Sequence, residues 1–180
     1  MAVTETDSPL RRDRGPRRLI LASRSPRRRE LLRDAGIAHE IRLAEDLDDS
    51  DLWPGDVSPE CWVASLAYLK ARAVAELLPF DAHAVVLGAD TVCVLRDEII
   101  GQPSSREHAK RIITAFEETV HGVLTGVALI DQHGVIMDLF IDRATVRVGR
   151  IGDDAIEAYL DSDMWRGKAG AYNLFERLEA

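Results

Sequence analysis

The sequence predicts an α/β fold: a mixed central sheet with flanking helices. Three observations carry this. Apolar strand-like runs alternate with capped helix-like segments from Leu19 to Leu160. Two long β-rich runs meet at a tight turn late in the chain, so at least one pairing is antiparallel. A chain of 180 residues, 46% of them hydrophobic, suits one domain and can bury roughly 70% of its unfolded surface.

Leu19–Ala22 is short and apolar and reads as the first strand. Ser25 as N-cap, Pro26 at the first helical position and Gly36 beyond the last turn bound a helix over Arg27–Ala35. His39–Leu43 alternates like a strand, and the acidic stretch Ala44–Pro59 reads as a loop. Ser58-Pro59-Glu60 opens a long helix ending near Leu78. Ala84–Leu87 and Thr91–Leu95 are β-rich runs flanking Gly88-Ala89-Asp90, and Arg96-Asp97 is a turn into Glu98-Ile99-Ile100. Ser104 with Glu107 has capping-box spacing and starts a helix to about Phe116. Val120–Ile130 and Val135–Val148 form a hairpin across Asp131-Gln132-His133-Gly134. Asp153–Leu160 is a short helix, and the segment from Trp165 to Ala180 has no clear pattern.

Composition excludes several classes. No apolar run approaches the ~20 residues of a membrane span, and two cysteines, Cys61 and Cys93, give neither a disulfide framework nor a zinc cluster. Cys93 lies in an apolar run as a small buried thiol, and the reducing cytoplasm is the default compartment. Net charge is −8. Residues 1–17 read as a disordered Arg-rich tail and 18–180 as one domain. Without residues 1–18 the chain holds 18 basic and 28 acidic residues, net −10. Such a body argues against nucleic acid, which needs a basic face.

Three features could carry chemistry. Ser23-Arg24-Ser25-Pro26-Arg27-Arg28-Arg29 places cations at a helix N-terminus, where the dipole disfavours them unless an anion is shared. Phosphate is the natural guest. Lys70 lies among Val63, Leu66, Ala67, Val74, Leu77 and Leu78 on the apolar stripe of the long helix, where a lysine needs a partner or snorkels at the edge. Asp90 interrupts an apolar run; it is a turn residue, or a carboxylate with a cation or metal partner. The acidic loop from Glu45 to Asp51 is solvated or supplies an oxygen ligand to a hard metal. Cations at a helix start, a lysine on a buried face and carboxylates suit phosphoryl chemistry on a nucleotide. No P-loop or Gly-x-Gly-x-x-Gly motif is present.

The stretch from Leu21 to Leu32 (Leu-Ala-Ser-Arg-Ser-Pro-Arg-Arg-Arg-Glu-Leu-Leu) resembles the opening signature of the Maf family of nucleoside triphosphate pyrophosphatases. Gly88-Ala89-Asp90-Thr91-Val92 resembles its central signature, and Leu66–Ala71 its lysine helix. Thr125-Gly126-Val127-Ala128-Leu129 and Lys168-Ala169-Gly170-Ala171-Tyr172 are similar to later blocks. The resemblance implies an elongated, two-lobed fold like the inosine triphosphate pyrophosphatases, in the cytoplasm. It implies hydrolysis of a nucleoside triphosphate to monophosphate and pyrophosphate with Mg²⁺ or Mn²⁺. Asp90 matches the proton acceptor, with Asp90 and Asp49 as metal ligands; the sequence leaves base or ligand open for Asp90. Ser23, Ser25, Arg27, Arg28, Lys70, Thr91, Gln102 and Lys168 match substrate-binding positions, Arg27 and Thr91 those linked to base preference. Arg after Pro, with Asp-Thr centrally, is similar to the dTTP/UTP branch.

The chain departs from the family in several places. Gly101-Gln102-Pro103 stands where the family has Gly-Lys-Pro, and Asp49 replaces a glutamate. Asn173-Leu174-Phe175-Glu176 stands where Gly-Ile-Gln follows. The chain ends at Ala180, before the family's Val-Val-Gly-Leu-Pro block, so the tail reads as truncated or this member as lacking the block. The expected partner is the nucleotide, without nucleic acid or membrane; a homodimer stays open. The competing reading is a low-turnover nucleotide-binding regulator of cell division and septum formation.

Overall fold

In the computed structural model, which describes residues 17–44, 52 and 54–172, everything is arranged around one long strand. β3 (Ala84–Leu95) is unbroken, and β5 (Val120–Asp131) pairs antiparallel with it from Val85 to Val94. Its other edge is shared. β1 (Arg18–Ala22) pairs parallel with Ala84–Gly88, and β4 (Glu98–Ile100) antiparallel with Cys93–Leu95. Between them, residues 89–92 have no strand partner on that edge among the described residues. β2 (Glu40–Ile41) and β6 (Ile136–Arg147) complete the mixed sheet, in the order β2-β1-β3-β5-β6.

The sequence expectation of two strands around a Gly88-Ala89-Asp90 turn is therefore corrected. Extended backbone through this segment puts Val86, Gly88, Asp90 and Val92 on one face of the sheet. The glycine serves a close approach, not a turn. α2 (Pro59–Ala75) crosses that face, and a Cβ at Gly88 would lie 2.2 Å from the Ala67 carbonyl oxygen. One at Gly126 would lie 2.4 Å from the Val63 carbonyl oxygen. The two glycines let the helix backbone rest on the sheet.

α2 is capped at Ser58, whose hydroxyl accepts from the Cys61 amide at 3.2 Å. It ends at Ala75 rather than Leu78, because Leu77 and Leu78 turn back onto the Val74 and Ala75 carbonyls. Leu77, expected on the stripe, is exposed, while Leu78 packs against the core. Helix α1 (Pro26–Asp34) starts at the proline as expected, but the Ser25 hydroxyl makes no capping bond. Helix α3 (Arg106–Phe116) is capped by Ser105, which accepts from the His108 amide at 3.1 Å. The expected Ser104–Glu107 box is displaced, since the Ser104 amide donates to His108 Nδ1.

Two apolar clusters lie at the two ends of β3. One contains Ile20, Ala67, Ala71, Val74, Ala75, Val86 and Ala128. The other joins Cys93, Ile112, Ile113 and Phe116 to α4 (Asp153–Asp161) through Ile156, Leu160 and Trp165. Arg106 and Lys110 bridge α3 to Glu157 on α4. The segment after Trp165, unpatterned in sequence, is held by packing: a 3₁₀ turn at Ala169–Ala171 sits against Cys93, and the Gly170 amide donates to the Gly101 carbonyl at 3.0 Å. Cys93 is buried as expected, and desolvation pushes its thiol up to about 12. Among the described residues no helix is long and apolar enough to cross a membrane. Asp49 and residues 1–16, named in the sequence reading, lie outside the described residues.

Candidate active site

The unpaired stretch of β3 is where several of the candidate side chains meet. β1 ends at Ala22 and the chain leaves its carboxyl end, the position at which open α/β sheets present ligand sites. Ser23 Oγ accepts from the Ser25 amide at 3.2 Å, shaping the loop into α1. From the first turn of α1, Arg28 reaches across the gap. One guanidinium nitrogen donates to Ser23 Oγ at 3.1 Å and to the Ala89 carbonyl at 2.7 Å. The other donates to Thr91 Oγ1 at 3.1 Å. Arg28 thus satisfies a strand carbonyl that no neighbouring strand meets. Burial pushes its guanidinium below the ordinary range, and Asp90 opposes that shift.

Asp90 and Thr91 are successive on a strand, so their side chains leave opposite faces. On the α2 side, Lys70 Nζ donates to Asp90 Oδ1 at 2.5 Å. Lys70 sits at the margin of the helix's apolar stripe, with 23% of its side chain exposed against 13% for Asp90. The expectation of a paired lysine holds, and the turn reading of Asp90 does not. On the other side, Thr91 Oγ1 lies 3.0 Å from Thr125 Oγ1 on β5, its register partner.

Ser23, Arg28, Lys70, Asp90 and Thr91 are therefore brought together. Ser25 borders them at the α1 N-terminus, while Arg27 on the same turn makes an ion pair with Glu30 at 3.7 Å. Gln102 is exposed in the loop that the Gly101–Gly170 hydrogen bond fastens to the 3₁₀ turn, and Lys168 opens that turn. Sequence reasoning missed Thr125, which it noted only as part of a block. Two threonines 34 positions apart become neighbours only through strand register. It also missed His121, buried and stacked on Phe116 at 3.9 Å, with Nε2 2.6 Å from the Tyr172 hydroxyl. An apolar cavity of about 410 Å³ among Ile113, Phe116, Val148, Ala155, Tyr159 and Tyr172 shares no residue with the Lys70–Asp90 group.

Among the described residues no group of three metal-ligating side chains occurs. That does not conflict with a hard divalent cation, which is commonly held by one or two carboxylates plus substrate phosphates and water. Asp90, at the open strand edge, fits that requirement.

Fold and site together define a class: an α/β protein with an arginine-bearing helix start and an ion-paired carboxylate at a gap in its central sheet. The family model described as Maf-like protein matches residues 18–179, and the chain belongs to the Maf family. Among its relatives is a dTTP/UTP pyrophosphatase of Anaeromyxobacter sp. (strain Fw109-5), 42% identical over 159 residues, 86% of this chain and 72% of that protein. Proteins of the same name from Geobacillus sp. (strain WCH70) and Pelotomaculum thermopropionicum are 39% and 37% identical. These two matches cover 88% and 90% of this chain, and 81% and 82% of those proteins.

Proposed function

We propose that the chain hydrolyses nucleoside triphosphates, dTTP and UTP foremost, to the monophosphate and pyrophosphate. The observation that carries this is the Lys70–Asp90 ion pair set at the interrupted edge of β3, beside the Arg-bearing start of α1. The α1 amides and the cations Arg27 and Lys70 offset phosphate charge, with Ser23 and Ser25 as hydroxyl donors and Gln102 and Lys168 at the rim. Arg28 contributes charge but spends its hydrogen bonds on Ser23, Ala89 and Thr91, so its main task is holding the gap open in shape.

In the reaction a water oxygen bonds to the α-phosphorus while the bond from that phosphorus to the α,β-bridging oxygen breaks. Asp90 takes the proton of the attacking water, or holds a divalent cation together with Asp49. Lys70 orients the carboxylate in either role. When bound, Mg²⁺ or Mn²⁺ would polarise the phosphoryl oxygens and offset their charge. The cytoplasm, where such nucleotides occur, is the compartment this reading implies. Release of pyrophosphate from a panel of eight ribo- and deoxyribonucleoside triphosphates, with product identification, tests it. Turnover of dTTP and UTP with monophosphate product is expected; nucleotide binding without turnover would favour the regulatory reading instead.

A further inference from the structure

We propose that His121 and Tyr172 are positioning residues for substrate binding: the hydrogen bond between them seats the Ala169–Ala171 turn, and that turn sets where the Gly101-Gln102 loop stands at the gap in β3. This inference rests on the pyrophosphatase reading above.

The gap has two borders. β1 forms one, with Ser23 and α1 beyond it. β4 forms the other. Ile100 pairs with Cys93, and the antiparallel register sends the chain after Ile100 toward the unpaired residues of β3. Gly101 and Gln102 therefore leave β4 at the border of the gap, beyond the last rung of the ladder. What fastens them is the Gly170 amide, which donates to the Gly101 carbonyl at 3.0 Å. Gly170 also rests on Cys93, the β3 residue at that border: a Cβ on it would meet the Cys93 Sγ at 2.5 Å. Its φ of +67° and this contact both require glycine. Turn and loop thus bear on the same point of β3.

The turn is held from its C-terminal side. The Tyr159 hydroxyl donates to the Ala171 carbonyl at 3.1 Å. The Tyr172 hydroxyl lies 2.6 Å from His121 Nε2, a bond that forms whichever of the two gives the proton. His121 is buried and stacked on Phe116, yet its Nδ1 has no hydrogen-bond partner among the described residues. A buried ring with one nitrogen unanswered is a poor core filler, since a purely apolar side chain would pack there at no polar cost. The bond to Tyr172 is what the imidazole supplies and an apolar side chain does not. Losing it frees Tyr172, then the turn, then the hydrogen bond that pins Gly101. Lys70 and Asp90 are set by α2 against Gly88 and keep their places. The loss therefore weakens triphosphate binding and spares the chemical step.

The experiment measures kcat and KM for dTTP and UTP, and hydrogen exchange at the Gly170 amide, in wild type, Tyr172→Phe, His121→Leu and the double variant. Ile156→Val, in the same apolar cluster, is the control for general loosening of the core. Tyr172→Phe removes one oxygen and keeps the ring. In Tyr172→Phe and His121→Leu, KM is expected to rise about fivefold with kcat within about twofold of wild type, and the Gly170 amide to exchange about tenfold faster. The double variant should be no worse than the single ones, because all three lack the same bond. Ile156→Val should lower the melting temperature and leave KM unchanged. Wild-type KM and exchange in Tyr172→Phe overturn the proposal, as does an equal rise of KM in Ile156→Val. A loss confined to kcat, or additive effects in the double variant, also overturns it. Should His121→Leu fail to fold, Tyr172→Phe against Ile156→Val carries the comparison. Inactivity of wild type on every triphosphate would instead overturn the parent reading and this inference with it.

Discussion

The two ends of β3 are packed by opposite means. At the β1 end, Ala67, Ala71, Ala75, Ala84 and Ala128 surround a glycine, and helix backbone lies against strand backbone. At the β4 end, Phe116 and Trp165 fill the space between sheet and helices, with His121 and Tyr172 beside them. Small residues leave little side-chain freedom, so in the first region direct backbone contact at Gly88 and Gly126 sets the height of α2 above the sheet. That height determines whether Lys70 reaches Asp90. The second region is held by large side chains, whose loss leaves voids but need not move the carboxylate. The tight region places the Lys70–Asp90 pair, and the bulky one supplies large buried side chains to the core.

The largest expected effect tests whether the carboxylate held by the tight region is essential. Asp90→Asn keeps the shape and removes the charge, and hydrolysis should drop by ~10² or more, with the fold retained and the melting temperature lowered because Lys70 loses its carboxylate partner. Retention of more than about a tenth of the wild-type rate, ~1.4 kcal/mol of barrier, would sink an essential role.

Next come paired substitutions that separate the two regions. Trp165 is 2% exposed and donates through Nε1 to the Leu160 carbonyl, so Trp165→Ala should cost ~3–5 kcal/mol by denaturant titration. In Gly88→Ala the methyl meets Ala67 backbone at 2.2 Å, at a cost of ~3 kcal/mol or more. The activities should diverge: under conditions where both variants are folded, kcat falls in Gly88→Ala and is largely kept in Trp165→Ala. Equal kcat in the two would mean that the packing height of α2 does not set the site.

On the proposed reading, in which Lys70 offsets phosphate charge besides holding Asp90, Lys70→Ala should weaken triphosphate binding more than monophosphate binding. Calorimetric titrations of the two ligands showing equal loss would give Lys70 a purely structural role. Gln102→Lys adds a charge at the exposed loop after β4 and should raise kcat/KM, by up to ~10-fold. A flat or lower value across the triphosphate panel would mean that this loop does not serve the phosphates.

The smallest effect is a pH dependence confined to the bulky region. Burial holds the His121 imidazole below its ordinary 6.5. Below about pH 6.5 the unfolded chain therefore binds a proton that the folded chain refuses, and stability is lost as pH falls through that window. His121→Gln removes this contribution. Denaturant midpoints at pH 7.5 and 5.5 should shift more on acidification in wild type than in the variant; the reverse order would contradict a buried neutral histidine.

The sequence by itself determined the α/β class, most element positions and the identity of the charged groups. Caps, prolines and period-two runs are local signals, legible from neighbours along the chain. Lys70 and Asp90 stood out because a charge within an apolar pattern is costly unless something answers it. Only the tertiary structure decided which partner answered. Gly88 looked like a turn because a glycine in a β-rich run breaks or permits, and the choice depended on a helix 17–21 positions away in sequence. Arg28 looked like a phosphate ligand, yet the strand edge it braces exists only once β1 and β4 take separate halves of β3. Thr125 was invisible because register, set by the pairing of whole strands, is what puts one hydroxyl against another.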